Sequence, residues 1–573
     1  MLGDDCSPTS SSEMSNASSR EASITSRSSS TSGNNSLPED RGAVVQLPTL
    51  NPSDYRWHPF PGDSSVLQRK AIGVEALVGI RDANSRGEYD FYNNIVLRVG
   101  NALELTLTRL KRAFVKAMLD ARFENPSIAC YGVWGQNKEQ YLPHIQYKSF
   151  KSQSEALAWA NNCIIIQATS LTGSELRAER LKKRRAQAVP QPSNPLDIII
   201  YADVANQRNR LEPGTEVNIL FLFNHLIWDG KGRYFTSELV QRATTILDQE
   251  KENIMPTHRW GEEKSRLDPP ILDVMLVNLD KMGPDYDLAH RKLLNSQLQV
   301  GLSWGLPLTR NPGEPLQIRH CISREDSTKI TDAVRARLGP KYNIGHLGHA
   351  ATVLSLLKNN PIPPSTQDTA FLFSPLPVDG RPYLLEERKT PRYGNAQAAA
   401  VVELQKLASW GIKSDNLNGV KVALDDLAKK VKEDYDYWLT NLVAWRFKSS
   451  CTSEFIAFGS AIYQTPYLDP GAPKVKVGTG TSTDMVFLKA FCNDGRAESI
   501  IAYTMHGPSG KELFQVDDCF GGVDVLGSNA FIRMDTWKDA IRLTLCYNSG
   551  CFSDAVANSF TTDVAQYMLA YSW

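Results

Sequence analysis

One short stretch constrains this chain more than any other, an apolar run that ends at a histidine. The run from Val217 to Phe223 is apolar at all but Asn218, which predicts a buried β-strand. The next residues, 224–230, read Asn-His-Leu-Ile-Trp-Asp-Gly, so His225 stands at the edge of a core and Asp229 in a sharp turn. An imidazole with a pKa of about 6.5 can accept a proton at cellular pH. A core histidine beside a surface aspartate is the alternative interpretation.

The composition argues against several classes of protein. The chain has 573 residues, 42% of them hydrophobic, which is enough for two or three domains with their own cores. Its 63 basic and 63 acidic side chains cancel, so no overall field favours nucleic acid or an anionic lipid surface. No apolar run reaches the roughly 18 residues that cross a bilayer. Nine cysteines without a Cys-x-x-Cys pair, and a start without a hydrophobic leader, predict a cytoplasmic location.

The texture of the sequence predicts two α/β halves behind a polar tail. Residues 1–43 are dominated by serine and other polar residues, which predicts disorder. Residues 44–255 alternate helical periodicity with short apolar runs, and residues 316–573 do the same. Proline and charge dominate between them, so residues 256–315 are predicted to be a crossover.

Hydrophobic spacing predicts individual elements in both halves. Apolar residues recur at helical intervals over Asn101–Ala121 and Tyr234–Leu247 in the first half, and over Ser327–Leu338 in the second. Short apolar runs at Ile128–Tyr131 and Ile500–Met505 predict strands. Together these elements indicate a fold of the α/β class.

Two other clusters each allow a functional and a purely structural interpretation. His346 and His349 are three residues apart and would suit a shared metal, but no third ligand has a matching spacing nearby. A helix start that faces the core is therefore favoured, and no metal site is predicted. The basic run at residues 180–185 would suit an anion patch or a nuclear signal, but Glu175 and Glu179 beside it favour a solvated helix end.

Several separated fragments resemble a single family of enzymes. The His-x-x-x-Asp-Gly stretch carries the resemblance together with four other segments, which follow in the family's order: residues 378–383, 393–396, 482–484 and 517–522. On these residues the chain is similar to the coenzyme A-dependent acyltransferase superfamily, which includes chloramphenicol acetyltransferase, the plant BAHD acyltransferases and peptide-synthetase condensation domains. Segments between residues 305 and 351 resemble the fungal trichothecene 15-O-acetyltransferase group.

This resemblance implies a fold and an activity. The expected fold has two chloramphenicol-acetyltransferase-like domains, each a mixed sheet with helices, and an active-site channel between them. The expected enzyme is an O-acyltransferase, most simply an O-acetyltransferase, of a secondary metabolite such as a trichothecene-like sesquiterpenoid. Acetyl-CoA or another acyl-CoA would be the co-substrate, a small alcohol the acceptor, and no cofactor would be bound permanently. A monomer is expected.

The resemblance also assigns roles around the histidine. It implies that His225 is the general base, which typically contributes about 100- to 10,000-fold to a rate. It implies that Asp229 points away from the reaction and forms a structural ion pair with Arg381. The hydroxyl would attack the thioester directly, so no acyl-enzyme forms.

The remaining positions that match the family concern the oxyanion and the coenzyme. Ser482 and Thr483 are the candidates that would stabilise the oxyanion of the tetrahedral intermediate. Gly394 and Asn395 match the segment that borders the acyl and coenzyme channel, which makes them the predicted cofactor-binding residues. Residues 517–522 match a structural Asp-Phe-Gly-like loop.

The chain departs from the family that it resembles beside the His-x-x-x-Asp-Gly stretch. Condensation domains usually carry two adjacent histidines, whereas Asn224 precedes His225 here. This departure favours an acyl-CoA enzyme over a carrier-protein condensation enzyme. The carrier-dependent enzyme and a non-catalytic binding relative remain the alternatives at this point.

Overall fold

Strands and helices alternate along the chain that the computed structural model describes, residues 52–101, 104–136, 143–187, 194–274, 303–309, 311, 313–385, 394–414, 416–440 and 485–573. In chain order the strands are β1 (His58–Phe60), β2 (Asp63–Lys70), β3 (Phe91–Val99), β4 (Tyr131–Val133), β5 (His144–Lys148), β6 (Ile164–Ala168), β7 (Leu196–Ala202), β8 (Glu216–Phe223), β9 (Gly305–Pro307), β10 (Pro315–Cys321), β11 (Leu372–Asp379), β12 (Gln397–Leu404), β13 (Met485–Arg496), β14 (Thr504–His506), β15 (Glu512–Val523), β16 (Ala530–Trp537) and β17 (Ala540–Asn548). The α-helices are α1 (Val74–Asn84), α2 (Leu107–Glu124), α3 (Gln153–Cys163), α4 (Gly173–Arg185), α5 (Gly232–Asp248), α6 (Arg324–Leu338), α7 (Ile344–Asn359), α8 (Leu417–Thr440) and α9 (Asp554–Ser572).

A six-stranded mixed sheet carries the histidine motif at the end of a central strand. Its order is β14-β15-β3-β8-β7-β6, and β6 and β7 are its parallel pair. Strand β15 pairs with β3 along its length, from Phe514 opposite Val99 to Val523 opposite Phe91. Two strands from the second half of the sequence therefore complete the sheet that the first half builds.

A second mixed sheet and its helices occupy the C-terminal part of the chain. Its five strands have the order β10-β17-β16-β13-β9, with β13 and β16 parallel. Helix α7 packs against α8 and α9. Two smaller antiparallel sheets complete the described strands, β1-β2-β5-β4 and the ribbon β11-β12. The predicted α/β class is confirmed.

Helices α2 and α5 pack against each other beneath the six-stranded sheet. Helix α2 begins at Leu107 because the Thr106 side chain caps it, accepting a hydrogen bond from the Arg109 amide at 3.0 Å. Leu110 and Phe114 lie on its buried face, as their helical spacing predicts. Among the described helices, none is long and apolar enough to span a membrane.

Two apolar runs adopt other structures than the predicted strands. Residues Pro126–Ala129 form a 3-10 turn, and the strand begins only at Tyr131. Proline suits the first turn of a helix because its φ is already fixed near the helical value. Of the run Ile500–Met505, only Thr504 and Met505 belong to β14. Ile501 is buried but does not belong to a strand. The apolar run therefore indicates that these residues are buried, but not that they pair with a neighbouring strand.

Candidate active site

The turn after β8 is shaped by the side chain of Asn224. Its Oδ1 atom accepts a hydrogen bond from the Leu226 amide at 2.9 Å. Its main-chain oxygen accepts from the amides of Ile227 and Trp228 at 3.1 and 3.0 Å. A short polar side chain that bonds the backbone two residues on stabilises a tight turn. The turn leaves His225 at the end of the strand with its ring half-buried.

The imidazole of His225 is fixed in one tautomer when it is neutral. Its Nδ1 atom lies 2.7 Å from the main-chain oxygen of Trp228. A carbonyl oxygen only accepts, so Nδ1 carries the proton and Nε2 presents a lone pair. The Phe91 ring meets the imidazole edge-on, with 5.3 Å between the ring centroids. Burial lowers the pKa of His225 below 6.5, against the opposing effects of the Trp228 carbonyl and the Asp229 charge. The arrangement is that of a proton acceptor.

The main chain of His225 is held from both sides. Its amide donates to Oδ1 of Asp90 at 3.3 Å. Its carbonyl oxygen accepts from Nδ2 of Asn395 at 3.1 Å. Asn395 belongs to a segment far along the chain, and its own Oδ1 accepts from the Gln397 amide at 3.1 Å. The position of the ring therefore depends on two side chains from outside the motif.

A buried bidentate ion pair anchors the far end of the motif. Arg381 Nη1 lies 3.0 Å from Asp229 Oδ2, and Nη2 lies 3.1 Å from Oδ1. The amides of Ala396 and Lys231 also donate to this carboxylate, at 2.8 and 3.0 Å. Burial alone would raise the pKa of Asp229, but the charge and hydrogen bonds of Arg381 outweigh it and lower that pKa. Asp229 thus faces Arg381 with both carboxylate oxygens occupied.

Arg381 also ties together two segments of the second half. Its Nη1 donates to Asp379 Oδ1 at 2.9 Å, and its Nη2 donates to the Gly394 oxygen at 2.8 Å. Gly394 in turn forms an antiparallel bridge with Trp228. The residues predicted to bind the cofactor, Gly394 and Asn395, therefore lie against the main chain of the motif.

A cavity of about 340 Å³ opens beside the histidine turn. Asn224 and Phe223 line it on one side, and one face of helix α4 lines it on the other. Three arginines of that face pair with aspartates: Arg177 with Asp524, Arg180 with Asp197, and Arg184 with Asp82 and Asp90. Lys183 makes no ion pair with a described residue. Its exposed ammonium is the group at this cavity best suited to an anionic ligand.

Comparisons with known proteins show which family the chain belongs to. Residues 47–448 match the family described as 15-O-acetyltransferase Tri3. The chain belongs to the Tri3 family. It is 32% identical over 541 residues to trichothecene O-acetyltransferase TRI3 of Trichoderma arundinaceum, covering 92% of this chain and 99% of the relative. It is 30% identical over 533 residues to trichothecene 15-O-acetyltransferase TRI3 of Fusarium sporotrichioides, covering 92% and 98%.

Solved structures agree with the fold expected of the Tri3 family. The TRI3 trichothecene 15-O-acetyltransferase from Fusarium sporotrichioides superposes with a TM-score of 0.81 at 29% identity, covering 92% of this chain and all of the other. The condensation domain of the Monacolin K polyketide synthase MokA gives a TM-score of 0.50 at 10% identity, covering 89% and 98%. The second likeness shows a shared fold alone. The expected chloramphenicol-acetyltransferase-like fold class is confirmed.

Two other sequence-predicted features of this Tri3 family member have different outcomes. Ser482 and Thr483 lie outside the described residues. The prediction of a loop at residues 517–522 is wrong, because these residues lie within strand β15. Asp518 of that strand accepts from Arg542 at 2.7 Å, which ties β15 to the second sheet. This segment ties the two sheets together.

The second histidine pair lies in the core of the C-terminal part. His349 is buried in α7, with Nδ1 2.9 Å from the Tyr435 hydroxyl and Nε2 3.0 Å from Ser374 Oγ. Both ring nitrogens are thus used in hydrogen bonds. Burial lowers the pKa of His349 to about 3, so the ring stays neutral. No group of potential metal ligands occurs among the residues that the structure describes. The core interpretation of this pair is confirmed.

Proposed function

We propose that this protein transfers an acetyl group from acetyl-CoA to a hydroxyl of a trichothecene-like sesquiterpenoid, with His225 as the general base. The observation that carries the proposal is the hydrogen bond from His225 Nδ1 to the Trp228 carbonyl. It keeps the proton on Nδ1 and leaves Nε2 to accept one. The named activities of the trichothecene O-acetyltransferase relatives support the choice of acyl group and acceptor.

The proposed reaction has one tetrahedral intermediate and no acyl-enzyme. Nε2 of His225 takes the proton of the acceptor hydroxyl as its oxygen forms a bond to the thioester carbon. The intermediate collapses by breaking the carbon–sulfur bond, and Nε2 returns the proton to the departing thiolate. The products are the acetate ester and free coenzyme A. Ser482 and Thr483 remain the proposed donors to the oxyanion, and Gly394 and Asn395 the proposed border of the coenzyme channel.

The direct test is an assay of the purified protein with acetyl-CoA and a trichothecene that carries a free 15-hydroxyl group. We expect equal amounts of acetylated product, measured by mass spectrometry, and of free coenzyme A thiol. Protein incubated with acetyl-CoA alone should show no covalent acetyl adduct. Transfer only from an acyl carrier protein would support the condensation alternative instead. Saturable ligand binding without turnover would indicate a non-catalytic relative.

The lowered pKa of His225 predicts the acid limb of the pH profile. Only the neutral imidazole acts as a base, and a lowered pKa keeps the ring neutral to lower pH. The midpoint at which kcat/KM for acetyl-CoA falls should therefore lie below pH 6.5, the ordinary value for histidine. Rates measured between about pH 5 and 8 at saturating alcohol would show this. A midpoint above 7 would contradict it.

Coenzyme A is anionic, and Lys183 lines the cavity beside the histidine turn. Replacing Lys183 with alanine is expected to raise KM for acetyl-CoA up to about fivefold, the usual upper value for one exposed charge pair. The value of kcat and the KM for acetyl-pantetheine, which lacks the nucleotide, should stay unchanged. Lys182, its exposed neighbour on α4 that does not line the cavity, provides the matched alanine control. Equal effects of the two variants would argue against this cavity as the coenzyme entrance.

A further inference from the structure

One carboxylate outside the motif holds the turn that carries the proposed base. Asp90 Oδ1 accepts the amide of His225 at 3.3 Å, and Oδ2 accepts Nε of Arg184 at 3.3 Å. Asp90 therefore links helix α4 to the histidine. The Asp90 carboxylate thus bonds the backbone of His225 and not its ring.

The residue before Asp90 has an uncommon backbone conformation. Tyr89 has a φ of 67°, in the left-handed region that bulky side chains rarely adopt. The residue is buried. Such strained residues persist only where the surrounding structure imposes them, and they cluster at functional sites. The conformation of Tyr89 sets the direction in which the chain enters β3 and thus where Asp90 points.

The contacts that hold Tyr89 come from several parts of the chain. Its amide donates to the Asp524 main-chain oxygen at 2.8 Å. Its ring packs edge-on against Phe531, with centroids 5.4 Å apart, and the Arg81 guanidinium lies 4.8 Å from the ring centroid. Its hydroxyl accepts a hydrogen bond from Asn529 Nδ2 at 2.5 Å. These contacts account for the persistence of the strained conformation.

Asp524 completes the arrangement from the residue after β15. Besides accepting from Tyr89, it donates its own amide to the main-chain oxygen of Asp90 at 2.7 Å. Its carboxylate lies 3.1 Å from Arg177 Nη1, in a buried ion pair with α4. A residue from the second half of the sequence thus fixes the backbone on both sides of the Tyr89–Asp90 peptide.

We propose that Asp90 is a positioning residue for the base, aimed at the His225 amide by the left-handed conformation that Asp524 imposes on Tyr89. Asp90 accepts a hydrogen bond from the His225 amide, and Asn395 donates one to the His225 carbonyl. Together they fix the backbone of His225, and so the direction in which its ring faces the reacting hydroxyl. A small displacement of a catalytic group is expected to lower kcat more than it raises KM. The proposal rests on the proposed role of His225, and it fails separately if His225 proves essential and Asp90 does not.

The test compares kcat and KM in matched variants, with acetyl-CoA and the 15-hydroxy trichothecene as substrates. Asp90→Ala should lower kcat at least about tenfold, the loss expected from about 1.4 kcal/mol of transition-state stabilisation, with both KM values within about threefold. Asp90→Asn keeps an oxygen that can accept the His225 amide, so it should recover at least threefold of the loss. Asp434 is the control. Its buried carboxylate likewise accepts hydrogen bonds from a main-chain amide, that of Glu403, and from a cationic side chain, that of Lys430. Asp434→Ala should keep kcat within about threefold.

Three results would overturn the proposal. These are a kcat for Asp90→Ala within twofold of the wild type, an equal loss in Asp434→Ala, and no recovery in Asp90→Asn. If Asp90→Ala does not fold, the proposal is tested by comparing kcat of the variants Tyr89→Gly and Tyr89→Ala. Both lose the ring, but glycine adopts a φ of 67° without strain. The glycine variant should keep a kcat at least fivefold above that of the alanine variant, and equal values would exclude the role of this conformation.

Discussion

Replacing His225 with alanine is expected to lower kcat by about 100- to 10,000-fold, the range that general-base catalysis contributes. The methyl group of alanine cannot take the proton from the acceptor hydroxyl, and a neutral alcohol is a weak nucleophile. The ring packs against Phe91 and is half-buried, so its loss should change stability much less than rate. Release of free coenzyme A thiol, followed with acceptor present, measures the effect directly.

The matched control is His58→Ala. His58 is exposed in β1, and its Nδ1 atom lies 3.1 Å from the Arg56 main-chain oxygen. Its replacement should leave kcat unchanged, while the unfolding midpoints of both variants should stay close to that of the wild type. If the His225 variant kept more than a tenth of the wild-type kcat, a general-base role for this residue would be excluded.

The local elements were predictable because hydrophobic spacing reports them directly. The apolar run at Val217–Phe223 is the buried part of β8, and the helix predicted over Asn101–Ala121 is α2, which begins only at Leu107 and ends at Glu124. The pairing of the strands was not predictable in this way. Strand β15 joins β3 across more than 400 positions, and no periodicity within either strand encodes that partner. The same limit explains why the apolar run Ile500–Met505 predicts a strand although only Thr504 and Met505 belong to one.

Some residues of the candidate site could be predicted from the sequence, and others could not. A motif within one turn predicts His225 and Asp229, and the family resemblance implies Arg381, because these positions have recognisable neighbours in the sequence. Asp90 has no such neighbours, since it stands before an ordinary apolar strand, 135 positions from the amide that it accepts. Its role follows only from the arrangement of β3 beside β8.

Replacing Arg381 with alanine is expected to destabilise the fold by about 3–5 kcal/mol, the usual cost of breaking a buried ion pair. Asp229 and Arg381 are only 2% and 4% exposed, so water cannot replace the lost partner. Among the residues that the structure describes, the Asp229 carboxylate would keep the Ala396 and Lys231 amides as its donors. Denaturant unfolding followed by tryptophan fluorescence would measure the change in the free energy of unfolding.

The other corners of the mutant cycle separate the ion pair from its surroundings. Asp229→Ala should cost less than Arg381→Ala, because Arg381 still finds Asp379 and the Gly394 oxygen at 2.9 and 2.8 Å. The double variant should be more stable than the sum of the single losses predicts, since no buried charge is left unpaired, with a coupling energy of about 0.5–3 kcal/mol. Asp379→Ala removes a partner whose side chain is 40% exposed and should cost at most about 1 kcal/mol. Strictly additive losses would mean that the turn after β8 and the segment at Gly394 are held together by packing, and that the ion pair contributes little to orienting His225.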